Sequence, residues 1–254
     1  MVFVDIGAHL GEYTVLAAKI LELSGQVYAF EPRPDIFNIL KRNIELNGCR
    51  NVSAYPHAVW CKNDLCDFEM TSEPAVSALR AQGPSRPGVS YVKVQAIRLD
   101  DWFSSPSLPK PNLIKVDVEG AELQVLQGAK SLLTLPHSEA PVLIFEYGTD
   151  NSERFNYSAS ETLTLLRELG YTIYSCLDAK LVRLDGDPIL PKGSTTCNLV
   201  AVKVSERICQ ESKPDVGIKG QETAKPGRPL GLLNSACPCL QENAPDAHIA
   251  HGYC

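Results

Sequence analysis

The order of apolar runs along this chain predicts a three-layer α/β domain around a mostly parallel sheet of about seven strands. Three features predict it. Short apolar runs at residues 2–6, 26–30, 52–59, 112–117 and 142–146 alternate with longer stretches of helical period. The first run ends in a glycine-bearing turn that leads straight into the first such stretch. After Gly170 the remaining runs follow one another too closely for helical crossovers, so at least one closing strand is antiparallel.

Taken in order, Val2-Phe-Val-Asp-Ile6 reads as a buried strand. Residues 12–23 carry Val15, Leu16, Ile20 and Leu23 near the helical period, and Gly25 stops that helix. Residues 26–30 form the second strand. Residues 34–46 place Ile36, Phe37, Leu40 and Ile44 on one helical face, and residues 52–59 read as the third strand. Between residues 60 and 99 the texture changes. Two strand-like runs, 67–70 and 91–97, flank Gln82-Gly-Pro-Ser-Arg-Pro-Gly88, which predicts an inserted hairpin serving as a lid or substrate surface. Residues 112–117 are the fourth core strand, 121–133 a helix and 142–146 the fifth strand. Ser158-Ala-Ser-Glu161 has capping-box spacing and opens a helix that ends near Gly170. Strands at 171–177, 181–184 and 197–204 close a domain of residues 1–207. Residues 208–254 are rich in Pro, Gly and polar residues without sustained period, the pattern of a disordered tail.

Composition narrows the function classes. With 44% hydrophobic and 21% charged residues, the chain can build a core. Its 24 basic and 30 acidic residues give a net charge of −6, which argues against a general nucleic-acid binder. No apolar run approaches the roughly 20 residues of a membrane span, and the start lacks signal-peptide features. Nine cysteines without a Cys-x-x-Cys pair read as scattered thiols in a reducing compartment, hence a cytoplasmic protein. Sequons at Asn51 and Asn156 keep a secretory route open. Cys237, Cys239, His248, His251 and Cys254 lack zinc-site spacing, so no metal is expected.

The chemistry concentrates in Val4-Asp-Ile-Gly-Ala-His-Leu-Gly11. Gly7 lets the backbone leave the strand sharply, and the helix that follows offers free N–H groups to an anionic ligand. The dinucleotide fingerprint would need glycine where His9 and Glu12 stand, so the close approach to a pyrophosphate is not provided. Glu31 follows Gly7 by 24 residues, where such folds place an acid on ribose hydroxyls. A glycine turn and a ribose acid without dinucleotide glycines point to S-adenosylmethionine. A third element, Ile114-Lys-Val-Asp-Val-Glu-Gly-Ala-Glu122, ends the fourth core strand. Asp117 and Glu119 are two apart and face one side if the chain stays extended, whereas Glu122 falls in the next helix's first turn and suits its positive end.

These residues resemble a known family. The runs beginning at Val4, Phe30-Glu-Pro32, Asn43-Ile-Glu-Leu-Asn47, Leu99-Asp-Asp101 and Lys115-Val-Asp-Val-Glu-Gly-Ala-Glu-Leu-Gln-Val-Leu-Gln-Gly-Ala129 are similar to the FkbM-type S-adenosylmethionine-dependent methyltransferases over residues 2–204. The resemblance implies a Rossmann-like sheet whose last strand is antiparallel, and O-methylation of a small-molecule or carbohydrate hydroxyl. It implies a cofactor site of Asp5, Gly7, Ala8, His9, Gly11, Tyr13, Thr14, Glu31 and Pro32, with Ala58 and Val59 beside the adenine. Asp117 and Glu119 would face the transferring methyl as catalytic carboxylates, with His57 and Glu146 as reserves. His9 departs from the family's usual Asn, and only Met1 precedes the first strand, where the family carries more sequence. A non-catalytic binding module and a nicotinamide oxidoreductase are the competing classes, the latter opposed by His9 and Glu12.

Overall fold

The computed structural model describes residues 1–72, 77–80, 89–177 and 180–204. The tail beyond residue 207 and the Gln82–Gly88 loop lie outside the described residues. The main sheet begins with β1 (Val2–Ile6), α1 (Glu12–Leu21, extended by a 3₁₀ turn at Glu22–Ser24), β2 (Gln26–Phe30), α2 (Pro34–Leu46) and β3 (Val52–Tyr55). After the insertion it resumes with α3 (Leu99–Trp102), β8 (Leu113–Val116), α4 (Glu122–Gly128), α5 (Lys130–Leu133), β9 (Val142–Gly148), α6 (Thr149–Glu153) and α7 (Ala159–Glu168). It closes with β10 (Tyr171–Leu177), β11 (Lys180–Leu184) and β12 (Thr196–Lys203). The insertion contributes β4 (His57–Val59), β5 (Asp64–Met70), β6 (Ala78–Leu79) and β7 (Ser90–Ile97).

Eight strands run in the order β11-β10-β12-β9-β8-β1-β2-β3. The pairs from β3 to β9 are parallel, and β12 is antiparallel to both β9 and β10. The expected antiparallel closing strand is therefore present; β11 adds one edge strand through a short antiparallel pairing with β10. Strand alternation explains why β1 is buried throughout. Val2, Val4 and Ile6 enter the core shared with Val125, Leu126, Leu163 and Leu166, while Phe3 joins Ala18 and Val27 on the α1 face. Chain order reverses between β1 and β8, which opens a crevice at the carboxyl ends of those strands.

Three sequence expectations are corrected. Residues 52–59 are not one strand. Pro56 has no N–H for the ladder, so β3 stays in the main sheet and β4 leaves to pair with β7 in a second sheet, ordered β4-β7-β5-β6. The hairpin of β5 and β7 is real, but it belongs to this four-stranded sheet. The helix predicted over residues 121–133 breaks at Ala129 into α4 and α5. The predicted bounds of α2 hold, as does the capping box: the Ser158 N–H donates to Glu161 Oε1 at 2.9 Å.

Candidate active site

A cavity of about 180 Å³ crosses the carboxyl ends of β8, β1 and β2 and reaches β4 and the second sheet. Ten of the thirteen sequence-predicted site residues line it: Gly7, Ala8, His9, Tyr13, Glu31, Pro32, Ala58, Val59, Asp117 and Glu119. Asp5, Gly11 and Thr14 do not. They stand behind the turn, where the Thr14 hydroxyl donates to Asp5 Oδ2 at 2.6 Å and Gly11 caps α1 in a left-handed conformation. Burial raises the Asp5 carboxyl above its ordinary value, against the opposing pull of Lys115 and Thr14.

Gly7 is fixed by its neighbours. Its φ is +78°, and a Cβ there would sit 1.8 Å from the Asp117 carbonyl oxygen. The same junction is tied by the Asp117 N–H, which donates to the Ile6 carbonyl at 3.0 Å, and by the Gly7 and Ala8 N–H groups, which donate to the Phe30 carbonyl. Three strand ends are thus held together at one point.

Glu31 lines the cavity and is only 6% exposed. Its Oε2 accepts the His9 N–H at 2.9 Å and its Oε1 accepts the Arg33 N–H at 2.8 Å. Burial outweighs these bonds and raises its pKa from 4.5 to about 7. His9 adopts a positive φ of 50°, so its contribution to this contact is its backbone rather than its ring.

At the β8 end the chain does not stay extended past Asp117. Glu119 has φ +58° and Gly120 φ +102°, so the two carboxylates converge through a turn rather than by strand alternation. Among the described residues, carboxylate oxygens of Asp117, Glu119 and Glu146 lie within 4.8 Å of one another. The Lys115 ammonium, buried and 2.9 Å from Asp117 Oδ2, already answers part of that charge. Burial pulls the Lys115 pKa down, but Asp117 and Asp5 outweigh it and hold it above its ordinary value. Asn151 Nδ2 donates to Glu119 Oε2 at 3.1 Å. Burial, with repulsion from Glu146, Asp117 and Glu122, raises the Glu119 pKa to about 8. Glu146 thus joins the cluster; its Oε2 is buried without a hydrogen-bond partner among the described residues. His57, at the start of β4 in the second sheet, also lines the cavity and packs against Tyr55 and Trp102.

Glu122 is structural, for a more specific reason than the helix end. It is buried, and its Oε1 accepts the N–H groups of Val118 and Gly120, which fixes the turn that presents Glu119. The Tyr157 hydroxyl donates to the Gly120 carbonyl at 2.9 Å and braces the same turn. Burial raises the Glu122 pKa from 4.5 to about 7. With Glu31 and Glu119 also raised, the native state holds more protons than the unfolded chain between about pH 4.5 and 8, so stability falls as pH rises through that window. The melting temperature is expected to be higher at pH 5.5 than at pH 8.5. For Glu122, raised from 4.5 to about 7, the cost at high pH is on the order of 3–4 kcal/mol, and Glu122→Gln should flatten the slope measured by thermal denaturation.

The sequence reading missed Lys115, Arg33, Phe68 and the Ser77-Ala-Leu79 strip, all on the cavity wall. Lys115 was within reach, since strand alternation puts it on the same side as Asp117. The others come from the insertion or respond to it, and no local pattern marks them. The Asn51 sequon is also reinterpreted: its side chain is buried and donates to the Ala18 and Glu22 carbonyls. Cys49, Cys61, Cys66, Cys176 and Cys197 are all free thiols. No described helix is long and apolar enough to cross a membrane.

The profile of the methyltransferase FkbM domain matches residues 5–173. The chain belongs to this FkbM methyltransferase family. Within that stretch lie the Gly7 turn, Glu31 and the Asp117–Glu119 turn. Among relatives, the hexuronic acid methyltransferase AglP of Haloferax volcanii is 32% identical over 129 residues, covering 51% of this chain and 50% of that protein. Methyltransferase 1 of Beauveria bassiana is 31% identical over 144 residues, covering 49% of this chain and 57% of that protein. The matches thus span about half the length of these relatives. The solved structure of an S-adenosylmethionine-dependent O-methyltransferase from Thermotoga maritima is 14% identical, covers 81% of this chain and 60% of that chain, and gives a TM-score of 0.40.

Proposed function

We propose that the protein is an S-adenosylmethionine-dependent methyltransferase acting on a hydroxyl of a small molecule, with a sugar as the first candidate. The carrying observation is the Glu31 carboxyl on the cavity wall. A carboxylate offers about four lone-pair sites, and backbone N–H groups take one on each oxygen. The remaining sites suit a pair of ribose hydroxyls. The donor set fits this cofactor: a side-chain-free turn at Gly7, acids at the β8 end for a sulfonium, and no glycine at His9 for a pyrophosphate.

When bound, S-adenosylmethionine supplies an electrophilic methyl group. The chain's own task is to hold the acceptor oxygen in line, which is worth ~7–11 kcal/mol, and to take its proton. Glu119 is the better base of the two predicted carboxylates. It lines the cavity, Asn151 fixes one oxygen, and its pKa of about 8 matches proton transfer near neutral pH. Asp117 is engaged with Lys115 and acts as the negative charge beside the reacting centre. The hexuronic acid methyltransferase among the relatives supports a carbohydrate acceptor.

Calorimetry with S-adenosylhomocysteine tests the cofactor, and methyl transfer from labelled S-adenosylmethionine to uronic acids and neutral sugars tests the acceptor. Glu31→Ala should weaken S-adenosylhomocysteine binding at least tenfold. A wild-type protein that ignores this ligand but binds NADH would sink the reading.

A further inference from the structure

One short stretch after β9 touches both Glu119 and the second sheet. The helix α6 (Thr149–Glu153) is five residues long and has no side-chain cap, so tertiary contacts rather than its own helical stability set its position. On one side it leans on the turn that presents Glu119. Asn151 Nδ2 donates to Glu119 Oε2 at 3.1 Å, and a Cβ on Gly120 would lie 2.2 Å from the Asn151 carbonyl oxygen. On the other side the chain leaving α6 grips the second sheet. Arg154 Nη2 donates to Glu69 Oε2 of β5 at 3.1 Å, and the Phe155 ring packs on Trp60, just past β4, with centroids 5.8 Å apart.

The Arg154–Glu69 pair joins residues 85 positions apart and is largely withdrawn from water: the Glu69 side chain is 5% exposed and that of Arg154 24%. A buried carboxylate is costly unless it is paired, so this contact fixes where the chain leaves α6. Arg154 still has helical φ/ψ and stands one turn after Asn151, so a shift at the first carries the second with it. Neither Arg154 nor Glu69 lines the cavity. The charges acting on Glu119 come from four elements: Asp117 beside β8, itself held by Lys115, Glu122 in α4, Glu146 in β9 and Arg154 at the end of α6. The three carboxylates push Glu119 towards its protonated form, and Arg154 opposes them.

We propose that Arg154 is a positioning residue of the methyl transfer: moored on Glu69, it holds α6 so that Asn151 keeps Glu119 turned to the acceptor, and it sets a positive charge facing that base. This rests on Glu119 being the base, and it gives the second sheet a task at the acid end of the site.

A carboxyl-carbon NMR titration of the full chain, with Glu119→Gln assigning the Glu119 signal, tests it without an acceptor. Wild-type Glu119 should titrate near pH 8, and the Asn151 side-chain amide signal should follow the same midpoint because it donates to that carboxyl. Arg154→Gln should raise the midpoint by roughly half a pH unit or more and uncouple the Asn151 signal from it. Arg154→Lys keeps the charge and should restore most of the wild-type midpoint. Because Arg154→Gln strips Glu69 of this ion pair, the double variant Glu69→Gln/Arg154→Gln removes both charges; it should fold and keep the raised midpoint. Val94→Ala removes bulk from the apolar cluster of the second sheet, and should lower the melting temperature while leaving the Glu119 midpoint in place. If wild-type Glu119 titrates near pH 8 and neither Arg154→Gln nor the double variant moves it, the positioning role is wrong and the base reading stands. A raised midpoint with the Asn151 signal still following it would reduce Arg154 to a distant charge and overturn the positioning role. If Val94→Ala moves the midpoint as far as Arg154→Gln, the effect is general loosening and the inference falls. If wild-type Glu119 titrates near the ordinary 4.5, the base reading itself fails.

Discussion

Glu119→Gln is expected to lower turnover at pH 8 by about 10²–10⁴-fold, the usual span for losing a positioned base, while S-adenosylhomocysteine affinity changes little. The substitution keeps the shape of the side chain and removes its ability to take a proton. In the wild type the pKa of about 8 sets the sign of the pH dependence. Below it the base is protonated, so kcat/KM should fall roughly tenfold per pH unit and level off above it. Glu119→Gln should abolish that limb, leaving a flatter profile. The cause of the raised pKa predicts a second effect: burial acts first, followed by repulsion from Glu146 and Asp117. Glu146→Gln should move the limb to lower pH. If Glu119→Gln keeps full turnover and Asp117→Asn loses it, the base is Asp117.

The second large effect is at Gly7. Gly7→Ala is expected to destabilise the fold by ~4 kcal/mol or more and to abolish S-adenosylhomocysteine binding. The new methyl would lie 1.8 Å from the Asp117 carbonyl oxygen, and backbone cannot swing away as a flexible side chain can. Relief requires β1 and β8 to part, which breaks the Asp117–Ile6 hydrogen bond at the mouth of the cavity. Gly48→Ala supplies the control. Gly48 also has a positive φ, +61°, but a Cβ there meets nothing within 4 Å. Its cost should be confined to backbone strain of ~1 kcal/mol, with binding intact. Equal melting-temperature losses for the two variants would mean that the strand junction is looser than its geometry requires.

Legibility in the sequence followed the range of the interactions. The bounds of α2 and the Ser158–Glu161 cap were readable because they depend on neighbours within a turn or two. Glu31 was readable because strand, turn and spacing together confine it. The meeting of Asp117 with Glu119 was foreseen for the wrong geometric reason: the positive φ at Glu119 is imposed by Glu122 and Tyr157, which brace the turn from the next helix and from α7's entrance. The split of β3 from β4 was signalled by Pro56, yet continuous apolar texture masked it. Arg33, Phe68 and Leu79 were invisible, since their roles exist only once residues some 40 positions apart are brought together.

The broken third strand sets a rule for anyone splicing this fold. Composition places the natural cut points of the insertion at residues 60 and 99. Yet β4 pairs in register with β7, His57 to Gln95 and Val59 to Ile97. A chimera joined at residue 60 would leave that short strand in one parent and its ladder partner in the other. The seam belongs at Pro56, where the backbone has already surrendered its hydrogen bond.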